Sequence, residues 1–112
     1  MNYKQSLREL LKVDFSQDHG YSLNSKLLLL KNYYELNESD AFDSLCSSFK
    51  EFVRKNKIVS DTYKLFLLNF IKMTKRLYEA PVNKKKKLLK ELELATQIAE
   101  KNWLLEKCKL TK

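Results

Sequence analysis

Gly20 and Pro81 are the only glycine and the only proline in a chain of 112 residues. That scarcity constrains the fold more than any other feature. A compact all-β domain reverses direction every few residues, and its turns draw on glycine for positive φ and on proline for a preset φ. A chain with one of each is left with helices. Leucine and lysine, both good helix formers, are abundant. The length suits one small domain, and a hydrophobic share of 44% supplies a modest core. The fold class read from this is all-α, with five or six helices arranged in antiparallel hairpins.

Hydrophobic spacing places the helices. Tyr3, Leu7, Leu10 and Leu11 share one stripe of a 3.6-residue period, which predicts a short helix over Tyr3–Lys12. The segment Asp14–Asn24 interrupts the pattern with Asp18, Gly20, Ser22 and Asn24, and reads as a turn. A second helix is expected to start near Leu23–Ser25 and to reach Leu36. Leu27, Leu30, Tyr33 and Tyr34 lie on one side of it, and Leu28 and Leu29 widen that side. A helix apolar over so much of its circumference calls for cover on two sides. Asn37 can end it in the left-handed conformation, and Ser39 is placed to cap the next helix. Phe42, Leu45, Cys46, Phe49, Phe52 and Val53 then trace a clean stripe to about Asn56.

Ser60 and Asp61 open a long helix that Pro81 stops near Glu79 or Ala80. Its apolar face is read as Tyr63, Phe66, Leu67, Phe70, Ile71, Thr74, Leu77 and Tyr78, with Leu65 and Leu68 off it. Asn83–Ala95 is helical by pattern. A terminal helix suggested by Ile98, Trp103, Leu104, Leu105 and Cys108 follows after a weak break near Thr96–Ile98. The absence of glycine and proline there leaves a single continuous helix as an alternative. Trp103 is read either as packing that closes the core or as an exposed anchor.

The string Ser25–Lys57, SKLLLLKNYYELNESDAFDSLCSSFKEFVRKNK, resembles a tetratricopeptide-type hairpin. More narrowly, it is similar to the C-terminal region of uncharacterised bacterial proteins with degenerate tetratricopeptide-like repeats. The resemblance runs through YKLFLLNFIKMTKRLY to AEKNWLLEK and spans roughly residues 2–109. It departs from the repeat pattern at Leu29 and Leu30, where a small residue is usual, and at Asn37, where glycine is usual. The resemblance implies a single domain over 1–112: a repeat-like hairpin region at 1–57 and a helical cap at 58–112, together a tetratricopeptide-like stack. It implies protein–protein interaction or scaffolding, and it carries no catalytic residue. It also implies a bacterial source.

Charge is divided unevenly. Residues 1–47 hold five Lys/Arg and seven Asp/Glu, net −2, whereas residues 48–112 hold seventeen and seven, net +10. The run Lys84, Lys85, Lys86 and Lys87, with Lys72, Lys75 and Arg76 before it, is a candidate polyanion contact. The competing reading is a solvated loop and first helical turn, with Lys87 and Glu91 paired at i,i+4. The aromatics keep helical spacing with leucines, which favours core packing over base stacking.

Catalytic and metal chemistry lack partners in the sequence. His19 is the only histidine, Asp18 beside it makes no nucleophile arrangement, and Cys46 and Cys108 sit at apolar helix positions without ligand spacing. Both cysteines are read as reduced core residues. No cofactor is expected. The longest apolar run, Leu27–Leu30, is far short of the ~20 residues of a membrane span, and the N-terminus lacks a signal-peptide core. A cytoplasmic placement is therefore expected.

The leading reading is a non-enzymatic protein-interaction or scaffold module. Lys26, Asn32 and Tyr33 are its candidate groove residues, with either a separate protein or the rest of a longer repeat protein as partner. The alternative is nucleic-acid or polyanion binding through the basic second half. Tyr3–Lys12 reads as the second helix of a hairpin without its first, which predicts self-association or docking onto another chain. No small-molecule substrate is expected.

Overall fold

The computed structural model describes residues 19–109, and within them the chain is all-helical, with five α-helices and no strand. These are α1 (His19–Leu36), α2 (Ser39–Lys55), α3 (Asp61–Glu79), α4 (Lys85–Leu94) and α5 (Lys101–Lys109), with a 3-10 turn at Val82–Lys84. The expected helix over Tyr3–Lys12 lies outside the described residues. The chain forms two compact units, Met1–Ile58 and Val59–Lys112.

In the first unit, α1 is already helical at His19, the first described residue and upstream of the expected Leu23–Ser25, so helix replaces the turn read through Gly20. Glycine inside a helix costs about 1 kcal/mol, whereas each residue added to a formed helix closes one further hydrogen bond. From Leu23 to Leu36 only Asn24 is exposed. Leu23, Ser25, Leu29, Leu30 and Asn32 are buried, while Leu27, Tyr33 and Tyr34 are half-buried, so the most enclosed side is turned from the one expected.

Asn37 ends α1 as expected, at φ 57°. Its N–H donates to the Tyr34 carbonyl at 3.3 Å, and the Glu38 N–H donates to the Tyr33 carbonyl at 3.1 Å. This pair of bonds is the Schellman arrangement, which satisfies carbonyls that the helix end leaves open. The tight link makes α1 and α2 an αα-hairpin whose helices pack on each other. The cap residue of α2 is Glu38, not Ser39, and its side chain makes no capping bond. The Schellman turn consumes Asn37 and Glu38, so the chain is already helical at Ser39. Phe42, Leu45, Cys46, Phe49 and Val53 are buried along α2, as the spacing predicts, with Phe52 half-buried. Tyr34 meets Phe42 edge-on at 6.2 Å between ring centroids.

In the second unit, the Ser60 hydroxyl accepts from the Tyr63 N–H at 3.2 Å and caps α3, with Asp61 in the first turn. Ala80 is extended, as residues before proline are, and Pro81 closes the helix. The buried stripe is Leu67, Phe70, Ile71, Met73, Thr74 and Leu77. Tyr63, expected on that face, is 41% exposed, because the stripe begins only at the second turn. The Thr74 hydroxyl donates to the Phe70 carbonyl at 2.7 Å, so the one polar group of the stripe carries its own partner.

α4 and α5 are separate helices, divided by residues 95–100. No glycine or proline forces that break. Ile98, expected in the terminal helix, lies instead in this connection and is buried; the Ala99 N–H donates to the Phe66 carbonyl at 3.1 Å, and the Asn69 side-chain amide donates to the Gln97 carbonyl at 2.8 Å. The Lys101 ammonium donates to the Glu93 and Ala95 carbonyls at 3.1 and 2.7 Å, closing the C-terminus of α4. Glu100 stands at φ 57° immediately before α5. α5 then packs against both α3 and α4. Trp103 is half-buried with its ring 6.1 Å from that of Phe70, so it acts as packing for α3. No helix among the described residues is long and apolar enough to cross a membrane.

Candidate functional site

Lys72, Lys75 and Arg76 on α3 are all exposed. At about 100° per residue they fall within a single arc of roughly 100°, opposite Phe70, Leu77 and the rest of the buried stripe. The long helix that builds the core of the second unit thus presents a narrow row of cations on its outer side. Residues 59–112 hold thirteen Lys/Arg against six Asp/Glu, net +7, so the charge excess belongs to this unit.

The lysine run divides. Lys84 lies in the 3-10 turn and is exposed. Lys86 and Lys87 are exposed on α4 opposite the buried Leu88 and Leu92, and Lys90 joins them one turn on. Lys85 is half-buried, and its charge acts on the Cys108 thiol. Burial pushes that thiol above its ordinary pKa, and Lys85 offsets this in part. Glu91 pairs with Arg76 at 2.7 Å, a bond between α4 and α3 where the spacing had suggested Lys87. Both side chains are about 40% exposed, so the bridge orients the guanidinium more than it stabilises the fold.

Beside this row lies an open groove of about 360 Å³ between α3 and the 95–100 loop. Lys72 and Arg76 line it, with Asn69, Thr96 and Gln97 as further polar groups and Met73 and Leu94 as apolar wall. The loop that closes the groove is held in place by the Asn69–Gln97 bond and the buried Ile98. Sequence reasoning found the two cations but not the groove. Its only signal was the polar pair Thr96–Gln97 in the weak break between helices.

The three groove residues expected on the hairpin are placed differently from one another. Lys26 and Tyr33, seven positions apart, share a side of α1 and are half-buried. Asn32 is turned away from them and has no exposed surface. The Lys26 ammonium lies 4.9 Å from the centre of the Phe52 ring, a contact that favours its charge, yet burial pushes its pKa below the ordinary lysine value. Cys46 and Cys108 are buried, and neither is in a disulfide. Among the described residues no group of three or more His, Cys, Asp or Glu is placed to hold a metal ion.

Comparison with protein-family models, curated proteins and solved structures finds no match to this chain.

Proposed function

We propose that the chain is a non-enzymatic protein-interaction module whose contact surface is the basic outer side of the second unit, and that its partner presents an acidic segment. The observation that carries this reading is the row Lys72, Lys75 and Arg76, exposed on one side of α3, with Lys72 and Arg76 bordering a groove. Charge rows of this kind steer association and select partners of opposite sign more than they supply affinity. The closely linked α1–α2 hairpin supports a tetratricopeptide-like stack, in which residues 58–112 serve as the cap. Within that stack, Lys26 and Tyr33 mark a second, weaker contact side on the hairpin, in a cytoplasmic bacterial protein.

The test is a pull-down with the purified chain at low and high salt, followed by the double variant Lys72→Gln/Lys75→Gln. A defined acidic protein retained at low salt and lost with the variant is the expected outcome. Retention that ignores both salt and the variant refutes the basic side as the contact surface.

Nucleic acid is the second reading, favoured by the exposure of Lys86, Lys87 and Lys90 on one side of α4. It predicts a steep fall of heparin or oligonucleotide retention with salt, roughly in proportion to the phosphates neutralised. Replacing Lys84, Lys85, Lys86 and Lys87 by Gln abolishes that retention if the reading holds. Unchanged retention at low salt removes it.

A further inference from the structure

The groove beside α3 has a chemical character more specific than the basic row alone. We propose that it is the specificity subsite for the acidic partner segment, seating one carboxylate against Lys72 and Arg76 and an adjacent apolar side chain against Leu94 and Met73. This rests on the interaction reading above and names what the partner must contain.

Four observations lead there. First, among the described residues the charged ones lining the groove are Lys72 and Arg76, so its polarity suits an anion. Second, Arg76 already binds a carboxylate: its Nη2 holds Glu91 at 2.7 Å. A guanidinium carries five N–H donors in a planar fork, so the same group can serve a second carboxylate from the groove side. Third, Leu94 is 83% exposed at the groove, at the last position of α4, although Leu88 and Leu92 on the same helix are buried. An apolar side chain left in water beside a cationic groove is the complement of an acidic segment that carries apolar residues. Fourth, among the described residues no aromatic ring lines the groove, so they offer a nucleotide no stacking platform there. The volume, about 360 Å³, fits a carboxylate with one neighbouring side chain and lies at the small end of binding pockets.

Glu91 then has a definite part. It lies outside the groove lining but neutralises Arg76 from the α4 side, and so competes electrostatically with the incoming carboxylate. Removing its charge while keeping an amide oxygen to orient Arg76 therefore strengthens binding.

The experiment is a titration of the full 15N-labelled chain with a short synthetic peptide alternating Glu and Leu, followed by NMR. The expected result is a saturable shift of the Asn69 and Gln97 side-chain amides. Leu94→Ser, a change at an exposed site that leaves the fold intact, weakens binding by about fivefold, on the scale of one partly buried apolar side chain. Lys72→Gln weakens it about twofold to fivefold, and Glu91→Gln strengthens it by up to about fivefold, the range of exposed ion pairs. Glu93→Gln adds the same charge to the same helix and gives a smaller gain than Glu91→Gln.

If the peptide binds with shifts confined to Lys86 and Lys87 and Leu94→Ser has no effect, the groove assignment falls while the basic-surface reading stands. If a single-stranded oligothymidylate binds and the peptide does not, the protein-partner reading falls with it. Binding of neither probe at low salt overturns both.

Discussion

Phe70→Ala tests the packing of the second unit most directly. Phe70 is completely enclosed at the middle of α3, with the Trp103 ring 6.1 Å away. Truncation removes the transfer free energy of the ring and leaves a cavity that its neighbours fill only in part. Together these cost about 3–5 kcal/mol for a buried phenylalanine. The aromatic contact accounts for about 0.5–1.5 kcal/mol beyond area burial. A chain of this length has a total stability of about 5–15 kcal/mol, so the substitution removes a large fraction of it. Trp103 is the only tryptophan in the chain and reports on this contact by fluorescence. In urea, with a slope of about 1–3 kcal/mol per M, the midpoint falls by about 2 M. Phe70→Leu keeps most of the apolar volume, and it costs about 1–2 kcal/mol. Tyr63→Ala, at a 41% exposed position of the same helix, is the control and costs clearly less. Equal midpoint shifts for Phe70→Ala and Tyr63→Ala, or a Phe70→Ala shift under about 1 kcal/mol, refute this account of the core.

Three further expectations follow from local geometry. Ser60→Ala removes the cap bond to Tyr63 and costs about 1 kcal/mol in chemical denaturation, whereas Ser39→Ala, inside α2 rather than at its cap, costs well under that. Asn37→Val places a β-branched residue at φ 57° and destabilises by about 1–2 kcal/mol, while Asn37→Gly is neutral or stabilising; thermal melts that rank them otherwise count against the Schellman turn. The raised pKa of Cys108 means that the folded state holds the thiol proton more tightly than the unfolded chain does. Its contribution is therefore complete below the ordinary thiol pKa of about 8.5 and is lost as pH rises through the folded value. Cys108→Ala should show a shallower alkaline loss of stability than the parent chain, and parallel curves would contradict the burial of that thiol.

Local and periodic features were legible in the sequence wherever one residue type had one physical use. Ser60, Pro81 and Asn37 marked helix ends because a hydroxyl cap, a missing N–H and tolerance of positive φ act within one turn of chain. The stripe from Phe42 to Val53 was readable because its apolar residues fit one period. The reading failed where several choices were locally equivalent. Gly20 signalled a turn, but a growing helix absorbs it at small cost. Ser39 was the cap expected from its hydroxyl, but the Schellman turn starts the helix one residue earlier and leaves Glu38 at the cap position. On α1, leucines at Leu27, Leu28, Leu29 and Leu30 leave the buried side undetermined by pattern.

The candidate site divides in the same way. Lys72, Lys75 and Arg76 were found because helical spacing brings them to one side whatever lies beyond. The groove was not found, because it needs the 95–100 loop set beside α3, and the bonds that set it join residues far apart in the chain: Asn69 with Gln97, Phe66 with Ala99, Arg76 with Glu91.

The sequence by itself determined that this chain is helical, where most of its helices end, and which half carries the charge. Each of these follows from backbone sterics, from residue periodicity or from simple counting, and none requires a partner distant in the chain. Only the tertiary structure decided that α4 and α5 are separate helices, that Glu91 answers Arg76 rather than Lys87, and that two of the α3 cations border a groove. Those outcomes depend on contacts between elements, where burial of Ile98 and hydrogen bonds across the unit outweigh local helix propensity that would have let the chain run on.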